Sequence, residues 1–322
     1  MKRVMMLSVA LVVTAGMFGC AKQPQKEEPK QLVPKDLNGT TSSTTFSTGR
    51  VYASEKNNYL QQCQNGNGKG CRDLGTLYEL GLGVKKDPLK ARYYAQKGCE
   101  LGSGESCNRA GNLYGNHLFN LPVDDEKASQ MYMKGCELNY AVACNNLGLR
   151  YINGKGVVRN LDLAETFLQK SQRLGNNTYN NLGYLYESKG DLAKAEEYYK
   201  KGCDTQDAMA CGNLAVLYQS QKRNIDAYNY MLKACNLSDA DACQLASMMI
   251  YRKEVEVNNP KETMFQLSAN ACELGNKTGC SDTGYSYEIG LGVPKDLKKA
   301  KKYYQKACKM GHQYSCKKAK SL

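Results

Sequence analysis

The chain has 322 residues, 42% hydrophobic and 23% charged, with 15 cysteines, no tryptophan and a formal charge of +13. A mean hydropathy of −0.58 excludes a multi-span membrane protein. The cysteine count is odd and far above ordinary usage, so spacing decides whether the chain builds one core or an array.

Residues 1–19 read as an export signal: Lys2-Arg3, an apolar run from Val4 to Phe18, then Gly19 before Cys20. Met17-Phe18-Gly19-Cys20 is similar to a lipobox, which makes Cys20 the lipidated first residue. Phe18 is bulkier than the small or β-branched residue of that motif, and ordinary cleavage after Ala15 stays open as the rival. Either route takes the chain to the periplasm, the outer membrane or the medium, where disulfides persist. Residues 20–50 are rich in Lys, Pro, Gln, Ser and Thr and read as a flexible tether. Residues 51–70 then form a capping helix, 71–315 seven helix hairpins, and 316–322 a C-terminal cap.

The hairpins are read from their spacing. Fourteen cysteines form seven pairs, each eight residues apart: Cys63 and Cys71, Cys99 and Cys107, Cys136 and Cys144, Cys203 and Cys211, Cys235 and Cys243, Cys272 and Cys280, and Cys308 and Cys316. First members recur every 36 or 37 residues, except where the series runs through Gln172 and shortens to 31 and 32. Periods of this size mark helical-hairpin arrays. A first helix starts near each second cysteine, as in CRDLGTLY (71–78), CNRAGNLY (107–114) and CNNLGLRY (144–151). It carries a small residue for close helix approach (Gly75, Gly111, Gly148, Gly183, Ala215, Gly284), and the second helix supplies an alanine (Ala91, Ala128, Ala164, Ala195, Ala227, Ala300). Glycine-rich turns such as GLGVKKD (81–87) and GLGVPKD (290–296) join the two. The units starting at Tyr179 and Cys211 lose about one helical turn's worth of residues there.

Eight residues of continuous helix separate two Cα atoms by about 12 Å, beyond the reach of a disulfide. Bridging therefore predicts a fold-back at every pair, stapling one hairpin to the next. Gln172 and Tyr179 replace both cysteines of one pair together, as bridges require. Zinc ligation and free buried thiols are the alternatives, and with only His117 and His312 available no metal or cofactor is expected.

Leu74–Tyr78, Gly81–Val84, Lys86-Asp87, Lys90-Ala91, Tyr93-Tyr94 and Cys99–Gly102 together resemble the Sel-one-like repeat, a relative of the tetratricopeptide repeat. With eight-spaced cysteines, residues 55–322 resemble the exported Helicobacter cysteine-rich family. The resemblance implies an all-α fold, a right-handed superhelical α/α solenoid of disulfide-stapled hairpins. It also implies either β-lactamase or penicillin/peptidoglycan-binding activity, or a secreted factor that meets a host.

No catalytic constellation accompanies that implication. Ser315-Cys316-Lys317-Lys318 and Lys277-Thr278-Gly279 match two β-lactamase motifs by letter, but Ser-Asp-Asn is absent. A binding face is easier to argue. The positions one, two and five after each second cysteine hold Asn108, Arg109, Asn112, Asn145, Asn146, Asn180, Asn181, Tyr184 and Asn213. Asparagine is a mediocre helix former, so its recurrence suggests an amide ladder for the backbone of an extended peptide; satisfaction of local backbone groups is the alternative. The expected partner is a protein or peptide, bound by a monomer on its concave face, with no nucleic acid and no membrane contact beyond the anchor. Residues 295–322 carry ten lysines and one acid, Asp296. That charge reads as a solvated cap or, through Lys298, Lys299, Lys301 and Lys302, as an anionic-surface contact.

Overall fold

The computed structural model describes residues 44–116 and 118–322; the signal, Cys20 and His117 lie outside them. Among the described residues the fold is all helical, with a short 3-10 turn at Leu118–Asn120. Helix α1 (Thr44–Gln64) begins upstream of Val51. Seven pairs of first and second helices follow: α2 (Gly68–Leu80) with α3 (Pro88–Glu100), α4 (Gly104–Gly115) with α5 (Asp125–Glu137), α6 (Ala141–Asn153) with α7 (Leu161–Arg173), and α8 (Tyr179–Lys189) with α9 (Leu192–Asp204). The series continues through α10 (Ala208–Ser220) with α11 (Asn224–Asn236), α12 (Ala240–Tyr251) with α13 (Pro260–Glu273), and α14 (Lys277–Ile289) with α15 (Leu297–Lys309), to a last helix α16 (Gln313–Ser321). Each helix packs chiefly on its neighbours in sequence, the arrangement of an α/α solenoid.

One backbone turn explains the cysteine spacing. After each second helix a residue adopts positive φ, as at Gly102, Asn139, Gln206, Ser238, Gly275 and Gly311, and Gly66 does the same after α1. The following N–H then donates to the carbonyl five residues back, for example Ser103 N to Gly98 O (3.0 Å) and Asp239 N to Ala234 O (3.0 Å). This Schellman closure reverses the chain within four residues. The next helix is capped at once by Asn67, Ser103, Asp207, Asp239 or Asn276, whose side chains accept from first-turn N–H groups.

The reversal returns the second cysteine beside the first. Cys63 is bonded to Cys71, Cys99 to Cys107, Cys136 to Cys144, Cys203 to Cys211, Cys235 to Cys243, Cys272 to Cys280 and Cys308 to Cys316, with Cα atoms 4.3–4.6 Å apart. The second members lie in the first turn of the new helix rather than ahead of it, so each first helix starts three residues before its cysteine: α2 at Gly68 before Cys71, α6 at Ala141 before Cys144, α12 at Ala240 before Cys243, and α14 at Lys277 before Cys280. The staple reading holds over the zinc and free-thiol alternatives.

The small residues have a more specific role than close helix approach. A Cβ at Gly111 would lie 2.6 Å from Tyr132 Cε1, and one at Gly183 would lie 2.4 Å from Tyr199 Cδ1. Glycine on the first helix thus houses a tyrosine ring of the second, whose hydroxyl donates to Asn112 or Glu187. The opposing alanines, from Ala91 to Ala300, are fully buried. In the two short units the residues missing come from the loop. Helices α9, α10 and α11 keep 13 residues each, while α8, with 11, begins only at Tyr179, and Gly190 or Lys222 in the left-handed region suffices to turn the chain between the paired helices.

Candidate binding face

The first helices lie side by side and their asparagines meet across the repeats. Asn146 Nδ2 donates to Asn108 Oδ1 (2.8 Å), Asn181 Nδ2 to Asn145 Oδ1 (2.6 Å), and Asn213 Nδ2 to Asn180 Oδ1 (2.8 Å). The register is regular: the residue two after a second cysteine, or after Tyr179 in its place, donates to the residue one after the preceding one. A rung of the same register joins α12 and α14 with its direction reversed, Gln244 Nε2 donating to Asp282 Oδ2 (2.6 Å). Burial raises the Asp282 carboxyl above its ordinary value, against the Gln244 hydrogen bond and the nearby His312, which lower it. Between α10 and α12 the positions hold Gly212 and Leu245, and no side-chain hydrogen bond can form.

The asparagines therefore bond to one another between repeats, rather than chiefly to their local backbone. Asn108 and Asn145 are buried, and Asn146, Asn180, Asn181 and Asn213 half-buried. The remaining predicted residues divide. Arg109 pairs with Glu79 (2.8 Å) on α2, Asn112 accepts from the Tyr132 hydroxyl (2.7 Å), and Tyr184 donates to Asn153 Oδ1 (3.0 Å). At α2, Arg72 pairs with Asp73 and Glu105, so ions stand where later units use amides.

Sequence reasoning missed the row beside the ladder. Three residues further along the first helices from α6 to α14, and so on the same face, come Leu149, Tyr184, Val216, Met248 and Tyr285. Together with Leu245 they make an apolar band from α6 to α14, with Val216 37%, Leu245 40% and Tyr285 45% exposed. The signal was present, since the row uses the register that picks out Asn112 and Tyr184, but recurrence of polar residues alone does not reveal it.

Of the terminal lysines, Lys298, Lys299 and Lys302 are exposed and Lys301 half-buried. Lys299 lies 3.8 Å from Asp296 and 5.3 Å from the centroid of the Tyr287 ring. Ser315 is fully buried, with Oγ 2.9 Å from Nδ1 of His312, the residue at the N-cap of α16. Ser106 stands in the same relation to Ser103 at the start of α4, which marks the Ser315 contact as part of a helix start. Among the described residues no cluster of His, Cys, Asp or Glu suits a metal, and no helix is long and apolar enough to cross a membrane.

These features define a class: a helical-repeat solenoid, stapled between units by disulfides, that matures in an oxidising environment. The Sel1 repeat model matches residues 68–103, 104–140, 141–176, 208–239 and 278–312, more than half of the chain, and a tetratricopeptide repeat model matches 177–207. The chain belongs to the Sel1 repeat family. Its fold is similar to that of c5321, a protective antigen of uropathogenic Escherichia coli, with a TM-score of 0.57 and 23% identity over 82% of this chain and 58% of that one. A Sel1 repeat protein of Oxalobacter formigenes gives a TM-score of 0.57 and 20% identity, covering 85% of this chain and 74% of that one. Cysteine rich protein B of Helicobacter pylori is 31% identical over 39% of this chain and 92% of its own, with a TM-score of 0.32. The chain thus spans little more than half of the E. coli protein. No curated protein matches it.

Proposed function

We propose that the protein is an exported scaffold, anchored through a lipidated Cys20, that binds an extended segment of a partner protein across its first helices. The observation that carries this reading is the exposed band of Val216, Leu245 and Tyr285, with Met248 half-buried among them, beside a ladder that holds the first helices in register from α4 to α10 and from α12 to α14. Apolar residues that are neither buried nor scattered mark an interaction face. The paired amides stiffen that face, so a ligand meets a surface already ordered. One hydrogen bond of each ladder amide is spent on its neighbour, and the half-buried or buried position of these amides shifts recognition from the ladder to the apolar row.

Selection from a displayed peptide library on the oxidised protein tests this. Enriched peptides should bind the wild type and lose at least tenfold in affinity to Leu245→Asp and to Tyr285→Asp, while a change on a second helix, Ile225→Asp, leaves binding intact. Equal binding to all three variants overturns the reading. Intact-mass analysis of protein recovered from membranes checks the anchor: a diacylglyceryl adduct on Cys20 supports it, and a mature chain starting at Gly16 refutes it.

A further inference from the structure

The last hairpin departs from the others in the sign and pairing of its charges. In α9, Lys200 bonds to Glu196 and Lys201 to Glu197, each pair one turn apart at 2.6 Å. The equivalent positions of α15, counted from the recurring alanine Ala195 or Ala300, hold Lys301 and Lys302 in place of the two glutamates. Lys298, Lys302 and Lys306 then follow at intervals of four, like charges stacked on one face of the helix, an arrangement that destabilises it. All three are exposed, as are Lys309, Lys317 and Lys320, and none of these six makes an ion pair among the described residues. A solvated cap needs charge but not a single sign, and it gains nothing from repulsion along its own helix.

We propose that the α15–α16 hairpin is a docking strip for a linear, phosphate-rich polyanion. Lys298, Lys302, Lys306 and Lys309 span about 16 Å at the helical rise, a row along which successive anionic groups lie. Lys309 and Lys320 continue it into an open depression of about 400 Å³ between the two helices, lined also by Gln305 and the Cys308–Cys316 disulfide. The hairpin contains no arginine. It therefore offers point charges without the planar fork that orients a single group, which suits a ligand of high, repeating charge density. The row itself carries no apolar or aromatic side chain, and the exposed Leu297 and Tyr314 of the hairpin lie on separate helices rather than forming one face to enter a bilayer interface, which favours a polymer over a lipid surface.

Sodium polyphosphate is the probe, titrated against the oxidised full chain at rising sodium chloride. Binding should weaken steeply with salt. The triple change Lys298→Gln, Lys302→Gln and Lys306→Gln should reduce affinity at low salt at least tenfold and flatten the log–log salt slope by about 2, given roughly 0.7 per lost contact on a single-stranded polyanion. Because it removes like-charge repulsion, this variant should melt no lower than the wild type, so lost binding cannot be lost folding. A control, Lys69→Gln, Lys85→Gln and Lys222→Gln, removes the same charge elsewhere and should stay within twofold of the wild type. Equal losses in the two triples, or no polyphosphate binding, overturn the proposal. So does binding to phosphatidylglycerol vesicles that polyphosphate fails to displace.

Discussion

The junction between α7 and α8 and the seven stapled junctions solve the same problem with different chemistry. Elsewhere the second cysteine falls in the first turn of the new helix and is bonded to the last turn of the old one. At α7–α8 the reversal is retained, with Gly175 at positive φ and Asn176 N donating to Ser171 O (3.2 Å). But α8 starts only at Tyr179, with 11 residues and no side-chain cap from Thr178. Gly183 keeps its place four residues after Tyr179, so the turn that would precede that position is replaced by Asn176-Asn177-Thr178. Without a bridge the two helices are held by apolar packing of Ala164 and Leu168 with Leu182 and Leu185, and by polar contacts: Lys189 Nζ reaches Glu165 (2.7 Å) and Asp162 (2.9 Å), and the Tyr186 hydroxyl donates to Glu165 (2.6 Å). Reductant therefore loosens seven junctions and leaves this one unchanged, whereas polar contacts of this kind also stand beside a disulfide at α9–α10, where the Tyr218 hydroxyl donates to Glu196 (3.0 Å). A chain of nearest-neighbour contacts unfolds where its weakest interface lies, which places the division of this array between α7 and α8.

Four experiments press on that difference. Replacing Cys99 and Cys107 by Ser should cost about 2–4 kcal/mol, seen in thermal unfolding as a large drop confined to the units around α3–α4. Gly183→Ala, on the unstapled side, drives a methyl into the Tyr199 ring and should cost about 1–3 kcal/mol. Denaturant unfolding should then resolve into two transitions, whereas Gly284→Ala, where the ring atom is 3.0 Å from the added Cβ, should stay closer to one. Asn181→Ala removes one rung and leaves Asn145 Oδ1 without its donor, a loss of about 1 kcal/mol that chemical denaturation can read. The smallest effect is acidic. Burial opposes ionisation of Glu165, yet the hydrogen bonds from Lys189 and Tyr186 and the charge of Lys189 hold its carboxyl below the ordinary value. A lowered folded value means the stabilisation is present above the unfolded carboxylate value and fades as pH falls through the lowered one. Amide exchange in α8 should accelerate over that acidic range by an amount equivalent to at most about 1 kcal/mol, and Glu165→Gln should abolish the dependence.

Much of this was legible in the residues, and the omissions have physical reasons. The seven bridges followed from one spacing because a disulfide is a local geometric constraint, and the missing staple showed in Gln172 and Tyr179. The loss of a helical turn at α8 appeared only as a spacing of seven in place of eight, too small a sign to separate loop from helix. The asparagines stood out by composition, but their partners did not. Each bond joins residues 33–38 apart in sequence with an offset of one position, and that offset arises from how neighbouring first helices are staggered. The apolar band at Val216, Leu245, Met248 and Tyr285 was hidden for a related reason: singly, each residue reads as core, and only the packed helices show which of them face out.

The stagger of the ladder gives the array an order of assembly that its repetitive sequence conceals. The units of α6 and α8 each carry one half of two different rungs, so copying, deleting or transplanting either leaves an unmatched amide on both sides. Between Gly212 and Leu245 no rung is broken, and the side-chain hydrogen bond that does join these units, Gln219 Nε2 to Glu254 Oε2 (3.1 Å), lies beyond the ladder toward the end of α10. Gain or loss of repeats would break no rung at that point, and a designer wishing to lengthen the protein should cut between α11 and α12, where the neighbouring units share the Cys235–Cys243 disulfide but no rung of the ladder.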